Sequence, residues 1–166
     1  QTIDKRKIVL NATPEEVFNY IDKMPLKFPT FRLFETRPFL FLRISLVDGI
    51  KAGIKAAFDK KYLKETMGPL SLGSTYGPFT LTEIDKPNKY YFTINSYFFK
   101  GETGYIISQV ENNTVLNFNT ETENPKIKQK IWWYIVKPIH IILANLVLRN
   151  IKKGINKKLQ ILNISR

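Results

Sequence analysis

Ile8-Val9-Leu10-Asn11-Ala12-Thr13-Pro14-Glu15-Glu16-Val17-Phe18-Asn19-Tyr20-Ile21 decides how the chain begins to fold. Lys7 to Leu10 is short, apolar and β-branched, which suits a strand. Thr13 then stands where a helix N-cap belongs. Pro14 fits the first helical position, where its missing N–H is not needed. Glu16, three residues after Thr13, can return a hydrogen bond to the cap backbone and close a capping box. Val17, Phe18, Tyr20, Ile21 and Met24 follow at helical spacing. A strand therefore turns a tight corner into an amphipathic helix that ends near Met24-Pro25.

Outward from this corner, residues 25–38 carry Pro25, Pro29 and Pro38 and read as an irregular, aromatic-rich connection. Over residues 39–62 the apolar positions Phe39, Leu42, Leu46, Val47, Ile50, Ile54, Ala57 and Phe58 keep helical period. They make one long helix, or two broken near Gly49 or Gly53, and the opening Phe39–Leu42 also reads as a strand. After Met67-Gly68-Pro69 the period becomes two. Ser74–Ile84, Lys89–Phe98, Glu102–Glu111 and Val115–Glu123 are rich in Thr, Tyr, Phe, Ile and Val. Short turns at 85–88, 100–101 and 112–114 separate them, so they form a four-strand antiparallel meander. In Val115–Thr120, Leu116, Phe118 and Thr120 face one side and Asn117 and Asn119 the other, which makes one sheet face wet and one buried.

From Ile127 to the end the pattern is helical. Ile131, Ile135, Ile139, Ile142, Leu146, Val147, Ile151, Ile155, Leu159 and Leu162 recur in steps of mostly three or four. Pro138 removes a backbone donor and should kink or divide this helix. Gly154 sits on the apolar stripe and admits a close neighbour. Such a helix across a curved antiparallel sheet is an α+β layout able to enclose a cavity.

This order, and above all Ala12-Thr13-Pro14-Glu15-Glu16-Val17-Phe18, resembles the START/Bet v 1-like helix-grip superfamily (SRPBCC), which includes polyketide cyclases and lipid-transfer domains. Leu72-Gly73-Ser74, Gly101-Glu102-Thr103-Gly104-Tyr105 and Trp132-Trp133-Tyr134-Ile135-Val136-Lys137-Pro138-Ile139-His140 resemble a narrower branch of unknown function. That branch is sometimes fused behind NAD-binding short-chain-dehydrogenase-like domains. The resemblance implies a curved antiparallel sheet wrapped around a long C-terminal helix and the binding of an apolar small molecule or lipid. It transfers no catalytic residue. The helical insert at residues 39–62 departs from the one or two strands that the superfamily has after its first helix.

The chain has 166 residues, 43% of them hydrophobic, and no Cys, which suits one domain spanning 1–166. Disulfides, thiolate metal sites and a cysteine nucleophile are excluded. No Gly-rich loop precedes a helix, no metal-ligand spacing occurs, and no cofactor is expected. No run of roughly 18 uninterrupted apolar residues appears, and no basic-then-apolar leader opens the sequence. The expected setting is cytoplasmic. The net charge is +12, and residues 126–166 hold ten Lys+Arg and no acid. That run reads as a solvated helix face or as a contact for an anionic membrane surface, and its interleaving with the apolar stripe disfavours nucleic acid.

The expected cavity takes Phe92, Ile94, Glu102, Ile106, Leu116 and Phe118 from the sheet. The helix gives it Trp132, Ile135, Ile139, His140, Ile142 and Leu146. His140, the sole histidine, is either a proton donor or ligand-orienting group, or a structural residue bonded to a carbonyl freed by Pro138. By alternation Glu102 shares a face with Gly104, Ile106, Ser108 and Val110. It is a buried acid or base, or an exposed strand-end charge. Trp132, Trp133 and Tyr134 cannot all face one way and serve as cavity wall, membrane-interface anchor or core packing. The expected function is binding of a hydrophobic small molecule or lipid. The alternative is a cyclase- or isomerase-like enzyme, which requires Glu102 and His140 in one pocket.

Overall fold

A computed structural model describes residues 2–23, 37–58, 71–76, 78–123 and 125–164. The connection expected at 25–38, up to residue 36, the end of the helical insert at 59–62 and Met67-Gly68-Pro69 lie outside them. Strand β1 (Thr2–Leu10) leads into helix α1 (Pro14–Asp22). Thr13 is the N-cap: its side chain accepts from Glu16 N at 3.2 Å, and Glu16 Oε2 accepts from Thr13 N at 2.8 Å. Val17, Phe18 and Ile21 are the buried face of α1, and Phe18 meets the Tyr90 ring edge-on at 6.0 Å.

The insert is two helices, α2 (Arg37–Asp48) and α3 (Ile50–Phe58), broken at Gly49. Gly49 has φ +93°, a left-handed conformation that glycine takes without steric cost. Gly53 lets the two helices meet closely, because a Cβ there would strike Ser45 and the Phe41 carbonyl.

Four strands of the sheet form a meander: β3 (Phe79–Asp85), β4 (Lys89–Asn95), β5 (Lys100–Val110) and β6 (Asn113–Thr122). A two-residue strand β2 (Thr75–Tyr76) precedes it, so the segment 74–84 is a hairpin rather than one strand. Pro78, with no N–H to give to a ladder, stands between its arms. Among the described residues the sheet is six-stranded and antiparallel, in the order β1-β6-β5-β4-β3-β2. The β4–β5 connection lies at Ser96–Phe99 rather than at Lys100-Gly101. Ser96 Oγ donates to the Phe99 carbonyl at 2.7 Å there and accepts from Phe99 N at 3.0 Å.

Directly opposed residues in antiparallel strands share a face. One row therefore runs Asp4, Thr120, Thr103, Phe92, Leu81, and the next Arg6, Phe118, Tyr105, Tyr90, Ile84. This is the inner face, and most of it is buried. Helix α4 (Ile127–Ile164) crosses it as one uninterrupted helix of 38 residues with Pro138 inside. Pro138 does not divide it.

The inward side of α4 follows the stripe read from the sequence in its second half, at Val147, Ile151, Ile155 and Leu159, but not in its first. Trp133, Val136, Ala144, Val147, Leu148, Ile151 and Ile155 are the buried positions. Ile131, Ile135, Ile139, Ile142 and Leu146 lie on the opposite side and are exposed. Both sides are apolar over this stretch, so periodicity alone could not tell which one the sheet covers. At Gly154 the expected close neighbour is Tyr20 of α1. No uninterrupted spanning run occurs, yet α4 averages a hydropathy of 1.6 over an 18-residue window. By length and composition it is apolar enough to cross a bilayer, and only 28% of that window is buried.

Candidate ligand-binding site

Two polar–apolar constellations flank the first half of α4. The inner one starts on β1, where Asp4, Arg6, Ile8 and Leu10 point inward and Lys5, Lys7 and Val9 are exposed on the other side. Asp4 is 4% exposed, and Arg6 holds it through Nε at 3.0 Å and Nη2 at 2.8 Å, both to Oδ1. His140 reaches the other oxygen, Nε2 to Oδ2, at 3.4 Å. That is long for a hydrogen bond and acts as an ion pair when the imidazole is protonated. Burial pushes the Asp4 carboxyl up, but His140 and Arg6 together outweigh it and hold the carboxyl down at about 2. Trp133 packs against the His140 ring at 5.3 Å, and Phe118 stacks on it at 6.3 Å. Asp4 Oδ2, His140 Nε2 and Trp133 Nε1 are buried without a hydrogen-bond partner among the described residues. A carboxylate fixed in its charged form is an anchor, not an acid or base working near neutrality.

The outer constellation is an open groove of about 820 Å³ between the β4–β5 turn and the first turns of α4. Its apolar wall is Phe98, Ile131, Trp132 and Ile135, and Lys100, Lys126 and Lys128 stand around it with Asp48 and Glu123. Consecutive aromatics on both elements divide the labour. Phe98 stacks on Trp132 in the groove at 4.6 Å, and Phe99 meets Trp133 in the core at 5.4 Å. The α2–α3 corner braces this arrangement. Trp132 Nε1 donates to the Leu46 carbonyl at 2.8 Å, and Tyr97 N donates to Asp48 Oδ1 at 3.1 Å.

The sequence-derived cavity residues separate into three groups. Phe92, Ile94 and Leu116 are on the inner face as expected, inside the packed core, with Phe118 and His140 beside them. Trp132 and Ile135 line the groove. Glu102 and Ile106 are corrected to the outer face. Glu102 lies opposite Glu121 and Thr93 and is exposed, and Ile106 lies opposite Asn117 and Lys89. Alternation does put both on one face, but that face is the one turned away from α4. Ile139, Ile142 and Leu146 face away from the sheet. Glu102 and His140 are therefore on opposite sides of the sheet, so the shared pocket that the enzyme reading needed is not formed by them. Nor does His140 serve a freed carbonyl: its partner is Asp4, far away in sequence. Asp4 and Arg6 were missed because the strand was begun at Lys7. Their signal was present as inward positions at period two ahead of Ile8 and Leu10.

No protein-family model and no curated protein matches the sequence. Among solved structures, a structural-genomics protein from Nitrosospira multiformis aligns at a TM-score of 0.50 and 12% identity, over 96% of this chain and 99% of that one. The Aha1 dimer from Colwellia psychrerythraea aligns at 0.43 and 13%, over 88% and 93%. A Thermus thermophilus protein aligns at 0.41 and 13%, over 97% and 99%. At these identities the likeness concerns architecture alone. The architecture is the helix-grip fold.

Proposed function

We propose that this chain is a binding module of the START/Bet v 1-like kind that holds a hydrophobic small molecule or lipid. Its site is the groove between the β4–β5 turn and the start of α4. The observation that carries this reading is the Phe98–Trp132 stack at 4.6 Å forming the wall of an 820 Å³ opening. Ligand sites are concave and mostly apolar, with a few placed polar groups. Here the apolar wall offers area to a hydrocarbon or ring, and Lys100, Lys126 and Lys128 offer charge to an acidic end group. The helix-grip fold is compatible with such a role, and the inner-face rings serve the core rather than the ligand.

Native mass spectrometry of the freshly purified protein tests this. The expected result is an adduct of lipid-like mass on the wild type that is lost from Trp132→Ala and retained by Ile142→Glu. A wild type that takes up no added medium-chain fatty acid, or a Trp132→Ala variant that takes up as much, would overturn the reading.

A further inference from the structure

Helix α4 carries a second apolar face that, among the described residues, is exposed and only borders the groove at Ile131 and Ile135. At 100° per residue, Ile131, Ile135, Ile142, Arg149 and Lys153 fall within about 20° of one line, diametrically opposite Trp133 and Ile151. The first half of that line is apolar. Ile131 is 58% exposed, Ile135 61% and Ile142 59%, a patch running about 22 Å along the helix to Leu146, with Tyr134, 73% exposed, about 80° to one side. The second half is cationic, with Arg149, Lys152, Lys153 and Lys157 all exposed. No acid occurs anywhere in residues 126–166 to offset them. A contiguous exposed apolar patch of this extent marks an interaction site.

We propose that this outward face of α4 docks the protein peripherally on an anionic bilayer. Ile131 to Leu146 rest at the acyl boundary, and Arg149 to Lys157 sit among the lipid phosphates. The division of the face into an apolar half and a half whose charges are all cationic matches the two layers of such a surface. A spanning arrangement does not fit, because Trp133, Val136, Val147 and Leu148 on the other side are buried against the rest of the fold. Docking does not depend on the groove being filled, although Ile131 and Ile135 border both, so a docked protein presents its groove to the membrane.

Co-sedimentation of the full chain with phosphatidylserine-containing vesicles, at low and high salt, tests the proposal. Binding is expected at low salt, with loss of at least about tenfold in partitioning when salt rises toward 1 M, where the screening length shortens to about 3 Å. Ile142→Glu, and separately the quadruple exchange of Arg149, Lys152, Lys153 and Lys157 to Gln, should each lower binding by about tenfold or more, with the thermal melt unchanged. Absence of wild-type binding at low salt, or variants that bind like wild type, overturns it. A concentration-dependent dimer that Ile142→Glu abolishes, without vesicle binding, also overturns it and assigns the face to a second copy of the chain. Phe98→Ala, which alters only the groove, should leave vesicle binding intact.

Discussion

Asp4 and His140 stand at opposite ends of the sequence, yet Asp4 Oδ2 lies 3.4 Å from His140 Nε2, with Arg6 closing the other side of the carboxylate. The contact ties the first strand to the middle of the last helix. The first strand and the last helix therefore hold one another across the inner face of the sheet.

Acid should weaken the fold through this carboxylate. Its value is about 2 in the folded chain against an ordinary 3.8, so the unfolded state binds the proton more tightly. The stabilisation is fully present above the ordinary value and disappears as pH falls toward the folded one, amounting to about 2 kcal/mol. Urea unfolding at about pH 5 and about pH 2.5 should reveal the loss in wild type, and Asp4→Asn should flatten it. An unchanged slope in Asp4→Asn would remove Asp4 from the account of acid stability.

The two sides of α4 should respond oppositely to substitution. Ile151 is 1% exposed, and Ile151→Ala should cost about 2–5 kcal/mol by leaving a cavity under the helix. Ile142 is 59% exposed, and Ile142→Glu should change stability by no more than about 0.5 kcal/mol. Chemical denaturation of the pair distinguishes this orientation from one turned through half a revolution.

The capped corner Thr13–Glu16, the meander and a long C-terminal helix were legible in the sequence, each written in local chemistry: a cap, period two, period three to four. The break at Gly49 and the passage of the last helix through Pro138 undivided were not, because the sequence left each as one of two alternatives. Orientation of the first half of that helix was not, because it is apolar on two sides there, and only the packing against Phe99 and β1 selects Trp133 and Val136 over Ile135 and Ile142. The face of Glu102 was lost for a similar reason: alternation sorts residues into two sets without saying which set faces the helix. The Asp4–His140 contact joins residues that no local pattern links.

Glycine-to-alanine exchanges should separate rigid from yielding neighbours. At Gly101 an added Cβ would collide with the Glu121 carbonyl in the adjoining strand, where backbone has to move. At Gly154 it would meet the hydroxyl end of Tyr20, which can swing aside. Gly101→Ala should therefore cost at least about 2 kcal/mol and Gly154→Ala clearly less, read from thermal melts of the two variants.

Trp132→Phe keeps an aromatic ring, though a smaller one, and removes the indole donor to the Leu46 carbonyl. It should destabilise by about 1 kcal/mol. Amide exchange should quicken at the end of α2 rather than in the sheet, because the lost bond braces that corner alone.

An apolar ligand in the groove beside Trp132, as proposed, would lie within energy-transfer range of tryptophan. The chain has two Trp, at 132 and 133, so excitation of tryptophan with detection of a dansylated fatty acid reads occupancy beside them. Saturable, one-site energy transfer is expected, weakened by about tenfold or more in Phe98→Ala and altered by less than about twofold in Ile142→Glu. Transfer that never saturates, or that is indifferent to Phe98→Ala in a folded variant, would contradict the proposed site.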